Sequence, residues 1–380
     1  MAMRSQMYLR YALLTGICIL IGCTANQPAN NQPASSPSAK KQSVIKTKDP
    51  IATLDGNVAI DFSPDGKWLA IGAELVDTST WKVVAMLDER VSDKNPRSKN
   101  HWGYTSASFS PDSKKLALGD QDGTLRLLDV PAMTMSHEVL AHGARITGIG
   151  FANDNETMVT TSIDDFIRIR IWNYQTNKEL FRSDSDTKTP KDPNGSVVDI
   201  VSGVDVFALS PNREMFAVAD VMSKIVIGRV QDGKILKEFK GPNGDKVEMD
   251  SLAFTPDSSK LLIGVTPNVY VYNLNGEPTS VQIKTQANSS TIRVKTIDDS
   301  GTIAMWYEDT ASESPVVEFF DSSRSKSFGG FVPHSARGAY WACSRDGKFI
   351  AMVGRGGPIR VWDVKEAMQE LSPLETSASE

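Results

Sequence analysis

Hydrophobic and polar positions repeat along this chain at intervals of roughly 45 residues. In each repeat an apolar residue precedes a short polar turn and a second apolar run follows it. The clearest copies are FSPDGKWLAIG from residue 62, FSPDSKKLALG from 109 and FTPDSSKLLIG from 254, with weaker copies LSPNREMFAVA from 209 and CSRDGKFIAMV from 343. Apolar runs that flank a tight turn predict two antiparallel strands of a β-hairpin.

The residues of the turn explain why the hairpin forms. Pro64 fixes φ for the second position of a type I turn, Ser63 suits the first position, and Gly66 accepts the positive φ that often follows. A hairpin alone is marginally stable in water. We therefore expect many copies to stack and bury each other's apolar faces, as in a repeat protein.

The spacing predicts the number of repeats. The apolar residue before each turn falls at Phe62, Phe109, Phe151, Leu209, Phe254, Ile297 and Cys343, with eroded turns after Phe151 and Ile297. A third strand follows most hairpins, as in IRIRIWN at 167–173, and then a fourth, as in KELFRSD from 178. Four short strands per repeat predict an all-β, seven-bladed β-propeller with four-stranded antiparallel blades.

Several motifs resemble those of WD-repeat (WD40-like) propellers over residues 50–365. They are the FSPDGK turn, the Trp-Asp pair in RVWDV, and a His before the first strand, as in AHGARITGIGF. The resemblance implies that this His forms a hydrogen bond within its own blade. It assigns structural roles in the third blade to His142, Ser162, Asp164 or Asp165, and Trp172, and in the seventh blade to His334 and Trp362. Leu128 stands where the second blade's Trp is expected.

In this family the N-terminal strand completes the last blade and closes the ring. Residues 51–54 of KDPIATLDG look like a fourth strand with no blade before it, so the resemblance implies that they pair with the last blade's third strand. The competing candidate is MQEL at 368–371. This segment lies within the polar C-terminal tail, 366–380.

The N-terminal 23 residues predict a lipid anchor. Arg4 and Arg10 form a positive region, and residues 11–22 form an apolar stretch too short to span a bilayer but suited to a signal peptide. The ending LIGC resembles the bacterial lipoprotein box, which implies cleavage after residue 22 and acylation of Cys23. An ordinary signal peptide is the alternative.

Residues 23–49 follow as a tether. They are rich in Pro, Asn, Ser and Gln, a composition that cannot bury a core, and their mean reach is about 25–30 Å. The domain organisation is therefore a signal peptide (1–22), a lipidated tether (23–49), a propeller (50–365) and a tail. This places the propeller at the bacterial cell envelope, with the choice between inner and outer membrane open.

Composition narrows the function further. The net charge of −5 becomes −7 once Arg4 and Arg10 are removed with the signal peptide, which argues against nucleic acid as a partner. The mature chain keeps two cysteines, Cys23 and Cys343, so acylation of Cys23 leaves no internal disulfide. We interpret Cys343, at the end of an innermost strand, as a small buried hydrophobe.

The sequence offers little catalytic chemistry. His101, His142 and His334 recur once per blade, so they are spread around a ring and cannot converge on one substrate. Asp184, Asp186 and Asp192 could ligate calcium, but a solvated loop is the simpler interpretation. HExxH, CxxC and EF-hand motifs are absent. We expect no enzymatic activity, no metal, no cofactor and no small-molecule substrate.

The connections favour protein recognition. Expanded segments at 88–102, 183–203 and 308–315 open on one face in the family's geometry, and loops on a rigid scaffold commonly carry recognition. Candidate partner-binding residues on this face are Arg145, Glu248 and Arg337 at the channel mouth and Trp102 and Tyr104 as aromatic anchors. The leading hypothesis is a lipid-anchored scaffold that binds proteins or peptides.

Two alternatives remain open. One is an enzyme on the same scaffold, a hydrolase or lactonase-like protein acting on envelope material, and the other is a Tol-type periplasmic propeller. An enzyme would need acid, base or metal ligands that meet in one cleft.

Overall fold

The computed structural model describes most of the predicted propeller. It covers residues 47–56, 59–87, 103–163, 167–184, 204–220, 224–242, 249–275, 280–284, 292–297, 301–309, 314–321, 326–333, 340–354 and 357–369. All of these belong to the compact unit Val44–Glu380. The predicted signal peptide, Cys23 and most of the tether lie outside the described residues.

The described residues form seven antiparallel sheets arranged as propeller blades, which confirms the predicted fold class. Blades one to three contain β3 (Ile60–Phe62), β4 (Trp68–Ile71), β5 (Glu74–Asp77) and β6 (Lys82–Met86); β7 (Tyr104–Phe109), β8 (Lys115–Asp120), β9 (Thr124–Asp129) and β10 (Thr134–Leu140); and β11 (Ile146–Phe151), β12 (Thr157–Ser162), β13 (Ile167–Asn173) and β14 (Lys178–Asp184).

The remaining blades follow the same order from the channel outward. They contain β15 (Val204–Leu209), β16 (Met215–Asp220), β17 (Lys224–Arg229) and β18 (Ile235–Lys240); β19 (Ser251–Phe254), β20 (Lys260–Val265), β21 (Asn268–Asn273) and β22 (Ser280–Lys284); β23 (Ile292–Thr296), β24 (Thr302–Asp309), β25 (Ser314–Asp321) and β26 (Lys326–Pro333); and β27 (Tyr340–Cys343), β28 (Phe349–Val353) and β29 (Ile359–Asp363). A short helix, α1 (Val364–Gln369), follows β29.

The Ser-Pro-Asp turns join the first and second strands of the blades. In blade one the Ser63 hydroxyl donates to Asp65 Oδ1 (2.7 Å) and accepts from the Trp68 amide (2.9 Å), and Asp65 Oδ1 also accepts from the Lys67 amide (3.1 Å). The same three bonds recur around Ser110, Ser210, Thr255 and Ser344. The repeated motif therefore encodes a self-contained turn.

In each of the seven turns, the residue four positions after the apolar residue that precedes the turn has a left-handed backbone conformation. Gly66 has φ of 72°, as predicted, and positive φ recurs at Ser113, Asn155, Arg213, Ser258, Gly301 and Gly347. Four of the seven positions thus hold a side chain in a conformation that glycine adopts at lower cost.

The N-terminal segment closes the ring as predicted. Strand β2 (Ala52–Leu54) pairs antiparallel with β29, with Ala52 opposite Val361 and Leu54 opposite Ile359, and the Ile51 amide donates to the Val361 carbonyl (2.8 Å). In the competing segment 368–371, Met368 and Gln369 are described and belong to α1. These two residues therefore do not form the closing strand.

The structure adds a second closing strand that the sequence did not predict. Strand β1 (Thr47–Lys48), assigned to the tether, pairs parallel with β26, with Thr47 opposite Val332 and Lys48 opposite Pro333. The Trp362 indole Nε1 of blade seven donates to the Lys48 carbonyl (3.0 Å). The N-terminal strands therefore tie the last two blades together.

The hydrophobic core lies between adjacent blades. Trp306 and Phe319 of blade six, for example, form one cluster with Ile350 and Trp362 of blade seven, and Ala367 of α1 joins it. The apolar core is thus buried between blades and not at the centre of the ring. The inner strands surround a central channel, and the side chains at its two ends are candidates for function.

Candidate functional site

The central channel holds a cavity of about 220 Å³ at the end that carries the Ser-Pro-Asp turns. We call this end of the channel the turn face. Five blades contribute to the lining of this pocket, which consists of Asp61, Phe62, Pro64, Leu209, Ser210, Pro211, Arg213, Pro256, Thr296, Ile297, Cys343, Ser344 and Arg345. Residues far apart in sequence thus meet where the inner strands converge.

Asp61 supplies the pocket's carboxylate. It lies on β3, and its Oδ2 accepts a hydrogen bond from the Phe109 amide of blade two (3.0 Å). Burial raises the pKa of Asp61 above its ordinary value, although this hydrogen bond and the charges of Lys295 and Arg213 act in the opposite direction. Asp61 as a whole is half-buried.

Arg213 crosses the channel from blade four. Its backbone has φ of 58°, and its Nη1 donates to the carbonyls of Phe109 (3.3 Å) and Phe151 (3.2 Å) on the inner strands of blades two and three. Burial lowers the pKa of Arg213, the Asp61 charge raises it, and the like charge of Arg345 lowers it further. The guanidinium remains charged at neutral pH, because arginine does not lose its proton in proteins.

Cys343 contributes a thiol to the same pocket. The side chain is partly exposed in the channel and packs against the core between blades six and seven. Burial raises its pKa to about 12, so the thiol stays protonated at neutral pH and does not supply the thiolate that nucleophilic chemistry requires.

The structure places His142, as the resemblance implied, in a contact inside its own blade. His142 is 2% exposed, and its Nε2 lies 2.9 Å from Thr160 Oγ1, which also accepts from Trp172 Nε1 (3.1 Å). Sequence reasoning missed Thr160. The Ser162 hydroxyl donates to the Ala144 carbonyl (3.1 Å).

The register supports the phasing of the Trp positions. Trp172 lies opposite Met158, Trp362 opposite Ile350, and Leu128 opposite Leu116, so each stands across from the second residue of its blade's second strand. Leu128 therefore occupies the Trp position of blade two. Asp164, Asp165, His101 and His334 lie outside the described residues.

Tyr104 differs from expectation. It is 7% exposed, it packs in the cluster between blades one and two, and its ring lies 5.7 Å from the Arg126 guanidinium carbon. Arg126 is itself buried and paired with Asp120 and Glu138, each at 2.9 Å. This corrects the assignment of Tyr104 as an aromatic anchor, because its ring is already committed to the core.

Arg145 is half-buried and directly precedes β11, and its carbonyl accepts from the Ile163 amide (3.3 Å) at the end of β12. It therefore lies at the channel end opposite the turns. The other candidate partner-binding residues, Trp102, Glu248 and Arg337, lie outside the described residues, as do Asp186 and Asp192.

Within the described ranges, no cluster of three or more His, Cys, Asp or Glu side chains is arranged to hold a metal ion. In the same part of the chain, no helix is long and apolar enough to cross a membrane.

Comparison with known proteins identifies the repeats. The family model described as "WD domain, G-beta repeat" matches residues 48–79 and 97–129, which include strands of the first two blades. Periodic tryptophan protein 2 of Arabidopsis thaliana is 27% identical over 146 residues, 36% of this chain and 15% of that protein.

Two further similarities are shorter. WD repeat-containing protein VIP3 of Arabidopsis thaliana is 27% identical over 124 residues, 28% of this chain and 38% of that protein. Apoptotic protease-activating factor 1 of Mus musculus is 29% identical over 73 residues, 19% of this chain and 6% of that protein. The chain thus spans well under two thirds of the length of these relatives. Together with the seven blades, the matches show that the chain carries WD40 repeats in a β-propeller.

Proposed function

We propose that the protein is a non-catalytic scaffold, lipid-anchored at the bacterial cell envelope, that binds a protein or peptide on the face opposite the turns. We call this the loop face; it carries the connections between blades and those between second and third strands. The observation that carries the proposal is the antiparallel order of all seven WD-type blades, which directs the longest connections to this one face.

Strand direction explains why these connections share a face. In each blade the first strand ends at the turn face, the second returns, and the fourth again ends at the opposite side. The connections after β6, β14 and β24, which include 88–102, 185–203 and 310–313, therefore start and finish at loop-face strand ends. A rigid ring under long connections is the arrangement of a recognition surface.

Arg145 is the described charged residue that we assign to this surface. Its backbone is fixed by the pairing of β11 with β12, so its side chain projects from a rigid strand end. Arg337 is assigned to the same surface by its place before the seventh blade's first strand.

The lipid anchor is proposed from the LIGC motif and the tether. Acylation of Cys23 would hold the propeller near a membrane, and two or three acyl chains are needed for firm attachment. Strand β1 is formed by the last residues assigned to the tether and β2 follows it, so the anchor would join the ring where the ring is closed.

Two variants of the full chain test the partner surface. Shortening 183–203 to a tight turn, or reversing charge with Arg145→Glu and Arg337→Glu together, should leave the fold intact and weaken binding of a partner identified by cross-linking, with an altered salt dependence for the second variant. Lys114→Glu makes a charge reversal on the turn face as a control. Equal retention of the partner by both loop-face variants would refute the assignment.

The anchor has its own test. Cys23→Ala should leave an uncut or freely soluble protein, whereas the parent should fractionate with membranes and incorporate labelled fatty acid. A Cys23→Ala protein that lacks its signal peptide yet stays with membranes after a high-salt wash would contradict the anchor.

A further inference from the structure

Four charged residues at the turn face depart from the repeat. Asp61, Arg213 and Arg345 line one pocket, and the charge of Lys295 acts on Asp61. Asp61 stands where the other six blades carry Ser108, Gly150, Ala208, Ala253, Thr296 and Ala342. Lys295 stands where they carry Ile60, Ala107, Ile149, Phe207, Leu252 and Trp341. Arg345 replaces the turn proline of Pro64, Pro111, Pro211 and Pro256. Small or apolar residues at these positions suffice to build a blade.

Arg213 is the fourth departure and the most costly one. The other six left-handed turn positions carry Gly, Ser or Asn, whereas Arg213 holds a long cationic side chain at φ of 58°. A strained backbone conformation that persists in one repeat is a pointer to function. Here the strained position is what directs the guanidinium across the channel to Phe109 and Phe151.

The pocket carries an excess of positive charge. Arg213 and Arg345 line the pocket together with one carboxyl, that of Asp61, and the charges of Lys295 and Arg213 act on this carboxyl. Among the described residues, the Arg213 Nη2 and Nε groups have no hydrogen-bond partner, and neither Arg345 nor Lys295 forms an ion pair. Donors and positive charge are therefore available to a ligand.

We propose that this turn-face pocket binds a small organic or inorganic oxyanion, one carrying a carboxylate or phosphate group, between Arg213 and Arg345, with the charge of Lys295 adding to the attraction. A guanidinium presents parallel N–H donors that match both groups. The cavity of about 220 Å³ is smaller than the sites of drug-sized ligands, which favours a small anion over a peptide. The site lies at the opposite end of the channel from the proposed partner surface and does not depend on it.

Titration calorimetry on the full chain at fixed ionic strength tests the proposal, with succinate and inorganic phosphate as probes and chloride as the reference anion. We expect saturable 1:1 binding of at least one probe with a Kd of roughly 1 mM or tighter. The preferred probe identifies carboxylate or phosphate as the natural group.

Two variants remove a cation while restoring the residue that other repeats use. Arg345→Pro recreates the Ser-Pro-Asp turn, and Arg213→Gly places glycine at a left-handed position, so both favour the native backbone. Each should weaken binding at least tenfold. Lys114→Gln, an exposed lysine in the equivalent turn of blade two and outside the pocket, should bind as the parent does.

Absence of saturable binding of both probes by the parent overturns the proposal. Binding that Lys114→Gln weakens as much as Arg213→Gly and Arg345→Pro also overturns it, because the anion would then follow surface charge. The melting temperature of each variant, measured without ligand, separates loss of binding from loss of fold.

Discussion

Ser258 shows how much a single left-handed residue costs. It closes the turn of blade five at φ of 55°, and its buried hydroxyl has no hydrogen-bond partner among the described residues. We expect Ser258→Gly to raise the free energy of unfolding by about 0.5–1 kcal/mol in chemical denaturation, because it relieves strain and removes a buried unpaired group.

Ser113 provides the matched comparison. It has φ of 60°, but its hydroxyl accepts from the Asp65 amide of blade one (3.1 Å). Ser113→Gly should therefore stabilise less than Ser258→Gly, since the relief of strain is offset by the lost bond. A larger gain at Ser113 would contradict this account of the turns.

The Thr160 hydroxyl contacts two buried ring nitrogens, His142 Nε2 and Trp172 Nε1. Thr160→Val keeps the shape of the side chain but leaves the His142 and Trp172 ring nitrogens without this partner, which should cost about 1–3 kcal/mol. Equilibrium denaturation measures the change, and Thr160→Ser, which keeps the hydroxyl, is the control and should cost less than Thr160→Val.

Trp172 and Leu128 test the blade register. Trp172 is 6% exposed, and Trp172→Ala should destabilise by about 3–5 kcal/mol, as aromatic truncations in a core do. Leu128 is fully buried, and Leu128→Met should cost less than about 1.5 kcal/mol because the volume is nearly conserved. Equal and negligible effects at both positions would disprove the assigned register.

Ionisation of Asp61 makes the free energy of unfolding depend on pH. Its folded-state pKa is raised, so its contribution to stability is full below the unfolded-state pKa and is lost as pH rises through the folded-state pKa. The charges that act on it are those of Lys295 and Arg213, and Arg345 and the neutral Cys343 thiol line the same pocket. Asp61→Asn should therefore be more stable than the parent at pH 7, and this advantage should shrink as pH falls toward 4. Denaturant titrations at several pH values measure it; a constant difference would contradict the account.

At the scale of elements, ring closure depends on two N-terminal strands of unequal weight. Strand β2 forms a three-residue antiparallel ladder with β29, whereas β1 contributes two residues and the bond from Trp362 to Lys48. Deleting residues 1–49 should cost about 1–2 kcal/mol, since few hydrogen bonds are lost. Deleting residues 1–55 should cost clearly more because the edge of β29 is then exposed. Chemical denaturation measures the free energy of unfolding of both truncated proteins. An equal loss of stability in the two would show that β2 is not the principal closing strand.

The sequence predicted those elements that local pattern encodes. The turn motif, the alternation of apolar residues and the spacing were sufficient for seven blades, and the resemblance to WD-repeat propellers supplied the pairing of β2 with the last blade. Strand β1 was missed because Thr47 and Lys48 carry no apolar pattern. Tyr104 was misjudged because a position beside a long connection does not reveal whether the ring turns inward.

The pocket was missed for a different reason. Asp61, Arg213 and Arg345 are separated by more than a hundred residues from one another, and only closure of the ring brings them together. The signal that would have found them is their departure from the repeat: a charge or a long side chain where other blades carry a small, apolar or proline residue.

At the scale of the whole molecule, the channel has two ends with different chemistry. The turn face has two cations and one carboxyl in a small pocket, whereas the strand ends of the loop face include the residue after Arg145, where β11 begins. In the proposed function a protein partner docks on the loop face.

Site-specific photo-cross-linking in the cells that make the full chain tests whether a partner docks there. A photoreactive residue is placed at Arg145 on the loop face and, in a separate variant, at the exposed Lys114 on the turn face. The account predicts a discrete cross-linked partner from position 145 that is absent from position 114 and is lost when 183–203 is shortened. A partner cross-linked from position 114 and not from position 145 would contradict it.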